Sequence, residues 1–154
     1  MPPLFKKDPR FRQGIFKPKN LKKFISERAI YRSSYELRFF RWADENPNVL
    51  EWGSENIIVP YVSPIDGKGH RYYVDNYCVL KEGDIIKRYL VEIKPSAQIQ
   101  KPKVTKTKKP ASLLYEQTQW IVNQAKWEAA GIYAKKRGFE FIILTEKELF
   151  PKTK

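Results

Sequence analysis

Two segments rich in aromatic and β-branched residues, 71–80 and 85–94, flank the turn-forming Lys81-Glu-Gly-Asp84, and this pattern constrains the fold more than any other part of the chain. Both have strand composition and the interval between them carries glycine, so together they read as a β-hairpin. Side chains alternate faces along a strand. In the second segment Glu92 and Lys94 therefore project together, while Val91 and Ile93 point the other way into apolar packing. Pairing across the hairpin brings Asp75 opposite the end of the second strand. Two carboxylates, an ammonium and the Ile93 carbonyl then converge on one patch, and hard oxygen donors of this kind suit Mg²⁺ or Mn²⁺.

The flanking sequence supplies a scaffold. Residues 34–44 read as a helix with Leu37, Phe39, Phe40 and Ala43 at helical spacings, ended by Asn46-Pro47. Residues 49–52 and 57–62 read as short strands, followed by a turn over 64–69. Residues 112–137 form a long helical segment carrying Leu113, Trp120, Ile121, Ala125, Trp127, Ile132 and Tyr133, with Gly138 as its C-terminal cap. A buried strand over 139–145 follows, and Thr145 caps a last short helix. This order predicts an α/β fold, a mixed sheet with helices on its faces.

Taken singly, each candidate has a plainer role. Ser33 and Glu36 fit the Ser-x-x-Glu capping box, in which Glu36 bonds a free amide at the helix start. Glu92 with Lys94 is also what a same-face ion pair on a half-solvated sheet looks like. Asp75 is harder to explain this way, because an unpaired carboxylate among Tyr and Val costs several kcal/mol, roughly, unless something compensates it. His70, the one histidine, lies in a Gly-flanked turn and cannot build a histidine metal site by itself; a DNA contact there is an open alternative.

The formal charge of +13 matters because of where it lies. Residues 1–32 hold ten Lys or Arg against Asp8 and Glu27, a net of +8, and 94–109 hold six Lys and no acid. The rest of the chain is close to neutral. Two Pro-interrupted lysine runs beside an acidic cluster suit a phosphate backbone, with Lys17, Lys19, Lys22 and Lys23 in one and Lys101, Lys103, Lys106, Lys108 and Lys109 in the other. The length of 154 residues fits one domain. Pro2, Pro3, Pro9 and Pro18 favour an extended basic arm over 1–30, preceding a folded domain over 31–154 with a flexible basic loop at 96–111. Cys78 alone excludes an internal disulfide and reads as a buried small hydrophobe. The first residues lack the apolar core of a signal peptide and no stretch reaches bilayer length. A soluble, intracellular chain with no membrane partner is expected.

The acidic residue ahead of Glu92-x-Lys94, with Glu36 on the preceding helix, resembles the PD-(D/E)XK nuclease superfamily, with Val74-Asp75 in place of the idealised Pro-Asp. The words Tyr31-Arg-Ser-Ser-Tyr-Glu36-Leu-Arg-Phe, Asn46-Pro-Asn-Val-Leu-Glu-Trp52, Val91-Glu-Ile-Lys-Pro95, Lys126-Trp-Glu-Ala-Ala130 and Phe141-Ile-Ile-Leu-Thr-Glu146 follow in an order and spacing that is similar to the head completion nucleases of tailed bacteriophages. These in turn resemble the end-cutting endonuclease subunit of certain transposons. The resemblance implies a restriction-endonuclease-like sheet and a Mg²⁺- or Mn²⁺-dependent deoxyribonuclease. Asp75, Glu92, the Ile93 carbonyl and Glu36 would serve the metal, Lys94 the catalysis, and Gln117, Gln124 or Lys126 would assist from the long helix. It also implies processing of packaged DNA ends before tail attachment, in the host cytoplasm or the virion head, with portal or neck proteins as partners. The alternatives are a non-catalytic DNA plug of the head or neck, a transposon-type end nuclease, a junction resolvase and, last, an RNA-binding protein.

Overall fold

The computed structural model describes residues 13–152. The hairpin lies where the alternating segments put it. Strand β6 (Asn76–Glu82) runs antiparallel to β7 (Ile85–Ile93), with Asn76 opposite Val91 and Glu82 opposite Ile85. Gly83 opens the two-residue loop at φ +63°, a left-handed conformation that glycine adopts without a Cβ clash and that tight hairpin loops require.

The first half of that expected hairpin differs from the reading above. Residues 71–80 belong to two strands, because β5 (Gly69–Tyr73) leaves the sheet to pair with β4 (Ile58–Val62). The Val74 N–H bonds the Ile57 carbonyl at 3.1 Å, and the Asp75 carbonyl accepts from the Glu55 N–H at 3.0 Å. Asp75 therefore sits in the gap where the chain changes sheets, outside any strand.

The main sheet adds β3 (Val49–Ser54) and β8 (Glu140–Leu144) in the order β3-β6-β7-β8, the first three antiparallel and β8 parallel to β7. Helices α1 (Ser34–Glu45), α2 (Pro110–Lys136) and α3 (Glu146–Leu149) cover its two faces. Alternation along β7 sends Tyr89, Val91 and Ile93 into a core with Phe39, Phe40 and Ala43 of α1, Trp52 of β3 and Leu149 of α3. Leu90 enters the opposite core, with Val59, Tyr72, Trp127, Ala130 and Ala134. Glu92 shares that second face, beneath α2 and the β4–β5 ribbon.

Helix α2 buries Asn123, Trp127, Ala130 and Ala134, a stripe at helical spacing whose alanines let the helix lie close to the sheet. Two apolar positions anticipated for that face point elsewhere: Ile121 and Ile132 are 39% and 52% exposed. Gly138, at φ +73°, ends the helix, with its N–H on the Lys135 carbonyl and the Phe139 N–H on the Ala134 carbonyl, the bonding pattern that satisfies the last free carbonyls. Thr145 caps α3 with Glu148 in a reciprocal capping box.

Residues 13–31 are built into the domain. Strands β1 (Gly14–Phe16) and β2 (Ala29–Tyr31) pair antiparallel, so the expected arm boundary at residue 30 falls inside β2. The rest of the expected arm, residues 1–12, lies outside the described residues. The buried Asp44 carboxylate accepts the N–H groups of Lys19 and Asn20, both at 3.0 Å, satisfying backbone amides just ahead of the short turn at Leu21–Lys23. Phe16 and Phe24 then pack on Trp52 at ring-centroid distances of 6.1 and 4.6 Å. Trp52 is fully buried and Phe40 packs on it as well. Trp52→Ala is expected to lower stability by about 3–5 kcal/mol, read from the midpoint of urea unfolding.

Candidate active site

The end of β7 and the 74–75 crossover meet below the second core. The Ile93 N–H donates to Asp75 Oδ2 at 2.8 Å, which fixes the carboxylate against the strand end. A strand residue sends its N–H and C=O to the same side, so the Ile93 carbonyl turns toward Asp75 too. Glu92 Oε2 accepts a hydrogen bond from the Tyr72 hydroxyl. Among the described residues, Asp75 Oδ1 and Glu92 Oε1 receive no hydrogen bond from a protein donor.

These two acids share an environment that opposes ionisation. Burial, and next the Glu92 charge, hold the Asp75 carboxyl well above the ordinary carboxylate range. Burial raises Glu92 also, against the pull of the Tyr72 hydroxyl, Lys94 and Lys126. Tyr72, between burial and Glu92, is pushed up in turn. Lys94 lies on the Glu92 face as strand alternation requires, and its charge is felt by both acids. Lys126, from α2, sits 5.6 Å from the Tyr72 ring centroid and 5.9 Å from that of Tyr61.

Glu36 stands at the edge of this group. The Ser33 hydroxyl caps α1 by accepting the Glu36 N–H at 3.2 Å, while Glu36 Oε2 reaches past Ser33 to the Arg32 N–H at 2.5 Å. The cap and the site are thus both served by one residue. Burial raises the Glu36 carboxyl, opposed by the Arg32 N–H, and its charge is felt by both Asp75 and Glu92. Among the described residues no three His, Cys, Asp or Glu side chains form a complete metal-holding group. The nearest oxygen set is Asp75, Glu92 and the Ile93 carbonyl, with Glu36 engaged elsewhere. Its chemistry fits a hard divalent cation: two carboxylate oxygens without protein donors, in a place where burial raises both acids and the Glu92 charge raises Asp75 further.

Residues 46–146 match the family described as TnsA-like endonuclease N terminal. The chain belongs to this family. Its mixed sheet between helices is the restriction-endonuclease-like fold expected of it. Asp75, Glu92, Lys94 and Lys126 fall within the matched span of the endonuclease domain, and Glu36 precedes it. The chain is also 38% identical over 141 residues to the head completion nuclease of Enterobacteria phage T4, covering 88% of this chain and 92% of that protein.

Other residues beside this acidic group had no sequence signal. Tyr72 comes from the β4–β5 ribbon, and Arg32 and Glu55 form an ion pair at 2.5 Å. Both charges are felt by Glu36, and Arg32 is held charged first by its hydrogen bond to Glu55. Glu55 adopts φ +52°, unusual for a residue with a Cβ. Of the helix candidates, Lys126 neighbours Tyr72 and Glu92, Gln117 is half-buried and Gln124 is exposed.

The lysines separate into two regions. Lys101, Lys103 and Lys108 line a cleft that begins at Lys94; Lys106 and Lys109 are exposed on the same segment. The segment is tied down where Trp120 Nε1 donates to the Ile99 carbonyl at 3.1 Å and Lys108 Nζ to Glu116 at 2.8 Å. Lys19, Lys22 and Lys23 instead flank Asp44 and Val49, at the end of β3 remote from Ser54 and Asn76, and Lys23 Nζ donates to the Asn46 carbonyl. Lys17 is exposed just before that group. His70 bonds Asp66 at 2.8 Å and stacks on Tyr61. No helix among the described residues is long and apolar enough to cross a membrane.

A carboxyl raised in the folded chain binds more protons there than when unfolded, so stability falls as pH climbs above the unfolded value. The stabilising contribution of protonated Asp75, Glu92 and Glu36 is complete below the ordinary carboxylate range and is lost as pH rises through their folded values. In chelator, the melting temperature is expected to fall between about pH 5 and pH 7, and Asp75→Asn is expected to flatten that slope. Identical slopes for the two proteins would contradict this.

Proposed function

We propose that this chain is a metal-dependent nuclease that hydrolyses DNA phosphodiester bonds and processes packaged DNA ends as a phage head is completed, before tail attachment. The observation that carries the chemistry is the pair of half-buried Asp75 and buried Glu92, fixed by the Ile93 N–H and the Tyr72 hydroxyl beside Lys94. The biological setting is supported by the 38% identity to a head completion nuclease over most of both chains. Portal or neck proteins are the natural docking partners in that setting, in the host cytoplasm or on the virion head.

Asp75, Glu92 and the Ile93 carbonyl would hold Mg²⁺ or Mn²⁺, with Glu36 joining through water. Such an ion supplies Lewis acidity and a more acidic water at the phosphate. The chain's own groups do the rest. Tyr72 keeps Glu92 in one orientation, and the Ile93 amide does the same for Asp75, so neither carboxylate must reorganise when substrate arrives. Lys94 orients the attacking water and stabilises charge developing on the phosphate oxygens. Lys126 adds a second positive charge from the helix side. The lysines of 101–109 hold the backbone without reading bases.

Plasmid nicking with Mg²⁺ or Mn²⁺ is expected and should stop in chelator. Lys94→Ala and Glu92→Ala are each expected to slow nicking by at least about 10²-fold. Variants that nick as fast as the parent would end this reading. Calorimetry with Mn²⁺ is a separate check, since Glu92→Gln is expected to abolish the binding isotherm while leaving the melting transition in chelator cooperative.

A further inference from the structure

A cleft of about 720 Å³ runs from Lys94 between α2 and the lysine-rich segment after β7. Lys101, Lys103 and Lys108 form one side, and Tyr115 and Trp120 of α2 contribute rings to the other. Tyr115 is 67% exposed, although it lies on the wall of a formed groove. Resting on the nuclease reading, the geometry points to this cleft as the seat of a single-stranded DNA extension, leading an unpaired end into the Asp75–Glu92 site.

Three features select a single strand over a duplex. The volume lies in the range of roughly 300–1,000 Å³ that encloses a compact ligand, whereas a duplex needs a surface open to a body whose major groove alone is about 12 Å wide. The α2 wall from Tyr115 to Asn123 covers about 12 Å of helix, room for no more than about three nucleotides even at the stacked rise of roughly 3.4 Å. Aromatic rings beside a lysine-lined track bind unpaired bases by stacking, a contact that paired bases, already stacked within a duplex, cannot offer. The far wall is also held in place without DNA. Trp120 Nε1 donates to the Ile99 carbonyl, and Lys108 Nζ bonds both Glu116 and the Lys103 carbonyl. An arriving phosphate replaces Glu116 as the partner of Lys108. Gln119 and Asn123, which also line the cleft, carry amides that donate and accept alike, so they tolerate any base.

Fluorescence anisotropy in chelator, on the full chain, measures binding without cleavage. The probes are a blunt duplex, the same duplex with a six-nucleotide overhang on either strand, and the unpaired oligonucleotide. The overhang duplex of one polarity is expected to bind about tenfold tighter than the blunt one, a ratio that Tyr115→Ala brings close to one through loss of about one stacked base. Lys103→Glu, also at an exposed position, is expected to reduce the same ratio. Equal affinity of the parent for blunt and overhang duplexes overturns the assignment, as does a preference that both variants retain. Mg²⁺-dependent plasmid nicking by the parent is scored separately. Nicking with no overhang preference sinks the cleft and keeps the nuclease, whereas overhang preference with no cleavage of any DNA keeps the cleft and sinks the nuclease.

Discussion

Two carboxylates of like charge, the buried Glu92 near the end of β7 and the half-buried Asp75 of the neighbouring crossover, are drawn out of water together, and the surrounding structure is arranged around that difficulty. Desolvation dominates the raised affinity of each for protons, and their mutual repulsion adds to it for Asp75. A fold selected for stability alone would not keep such a pair; replacing it with apolar groups is often neutral or favourable. It persists because neighbouring elements hold one oxygen of each carboxylate where it is: the Ile93 amide on Asp75 and the Tyr72 hydroxyl on Glu92. Both supports depend on the sheet change at Val74 and Asp75. Had β5 continued into β6, Asp75 would be one more laddered residue, and Tyr72 would lie too far along the same strand to reach Glu92.

This is also where the sequence ceased to be legible. The Glu92-Ile93-Lys94 alternation was readable because a strand has a period of two that tertiary context seldom changes. The sides taken by Val91, Ile93 and Glu92 followed from it directly. The crossover was hidden inside ten residues of unbroken strand composition, since propensity does not record which partner a strand chooses. Tyr72 and Glu55 went unnoticed for the same reason, Tyr72 reaching Glu92 and Glu55 reaching Arg32 through contacts distant in sequence. The inward stripe of α2 was obscured because Ala130 and Ala134 pack there while Ile121 and Ile132 face outward. Pro18 argued against regular structure near the N-terminus, and only the buried Asp44, accepting two backbone amides, shows how the following residues are held in an irregular path.

The basic segments, read together as a DNA-binding surface, are divided by the fold. Lys101, Lys103 and Lys108 adjoin Lys94, whereas Lys19, Lys22 and Lys23 lie by the other end of β3. That separation spans the five-residue offset from Val49 to Ser54, on the order of 16 Å at strand rise. At physiological salt this exceeds the screening length of about 8 Å, so the remote group does little to set the potential at the carboxylates. Lys23 is further committed to the Asn46 carbonyl, and burial lowers its proton affinity. The electrostatics that matter for chemistry are consequently local to β7, α2 and the segment joining them.

Around the carboxylates themselves the charges nearly cancel. Glu36, Glu55, Asp75 and Glu92 face Lys94, Lys126 and Arg32, a net of −1 when all are ionised. A polyanion gains little from such a site by itself, and the raised acids are eased by taking up protons or a cation. On the proposed reading, one divalent cation changes the local balance to +1, the sign that a phosphodiester requires. Cation and DNA would then each strengthen the binding of the other, and by thermodynamic linkage the two couplings must be equal. The lysine-lined cleft would keep its own attraction for a strand in the absence of metal, because its charges lie beyond the carboxylates. On the proposed reading, holding the DNA and preparing the scissile bond would thus fall to adjoining but separate groups of residues, which meet at Lys94.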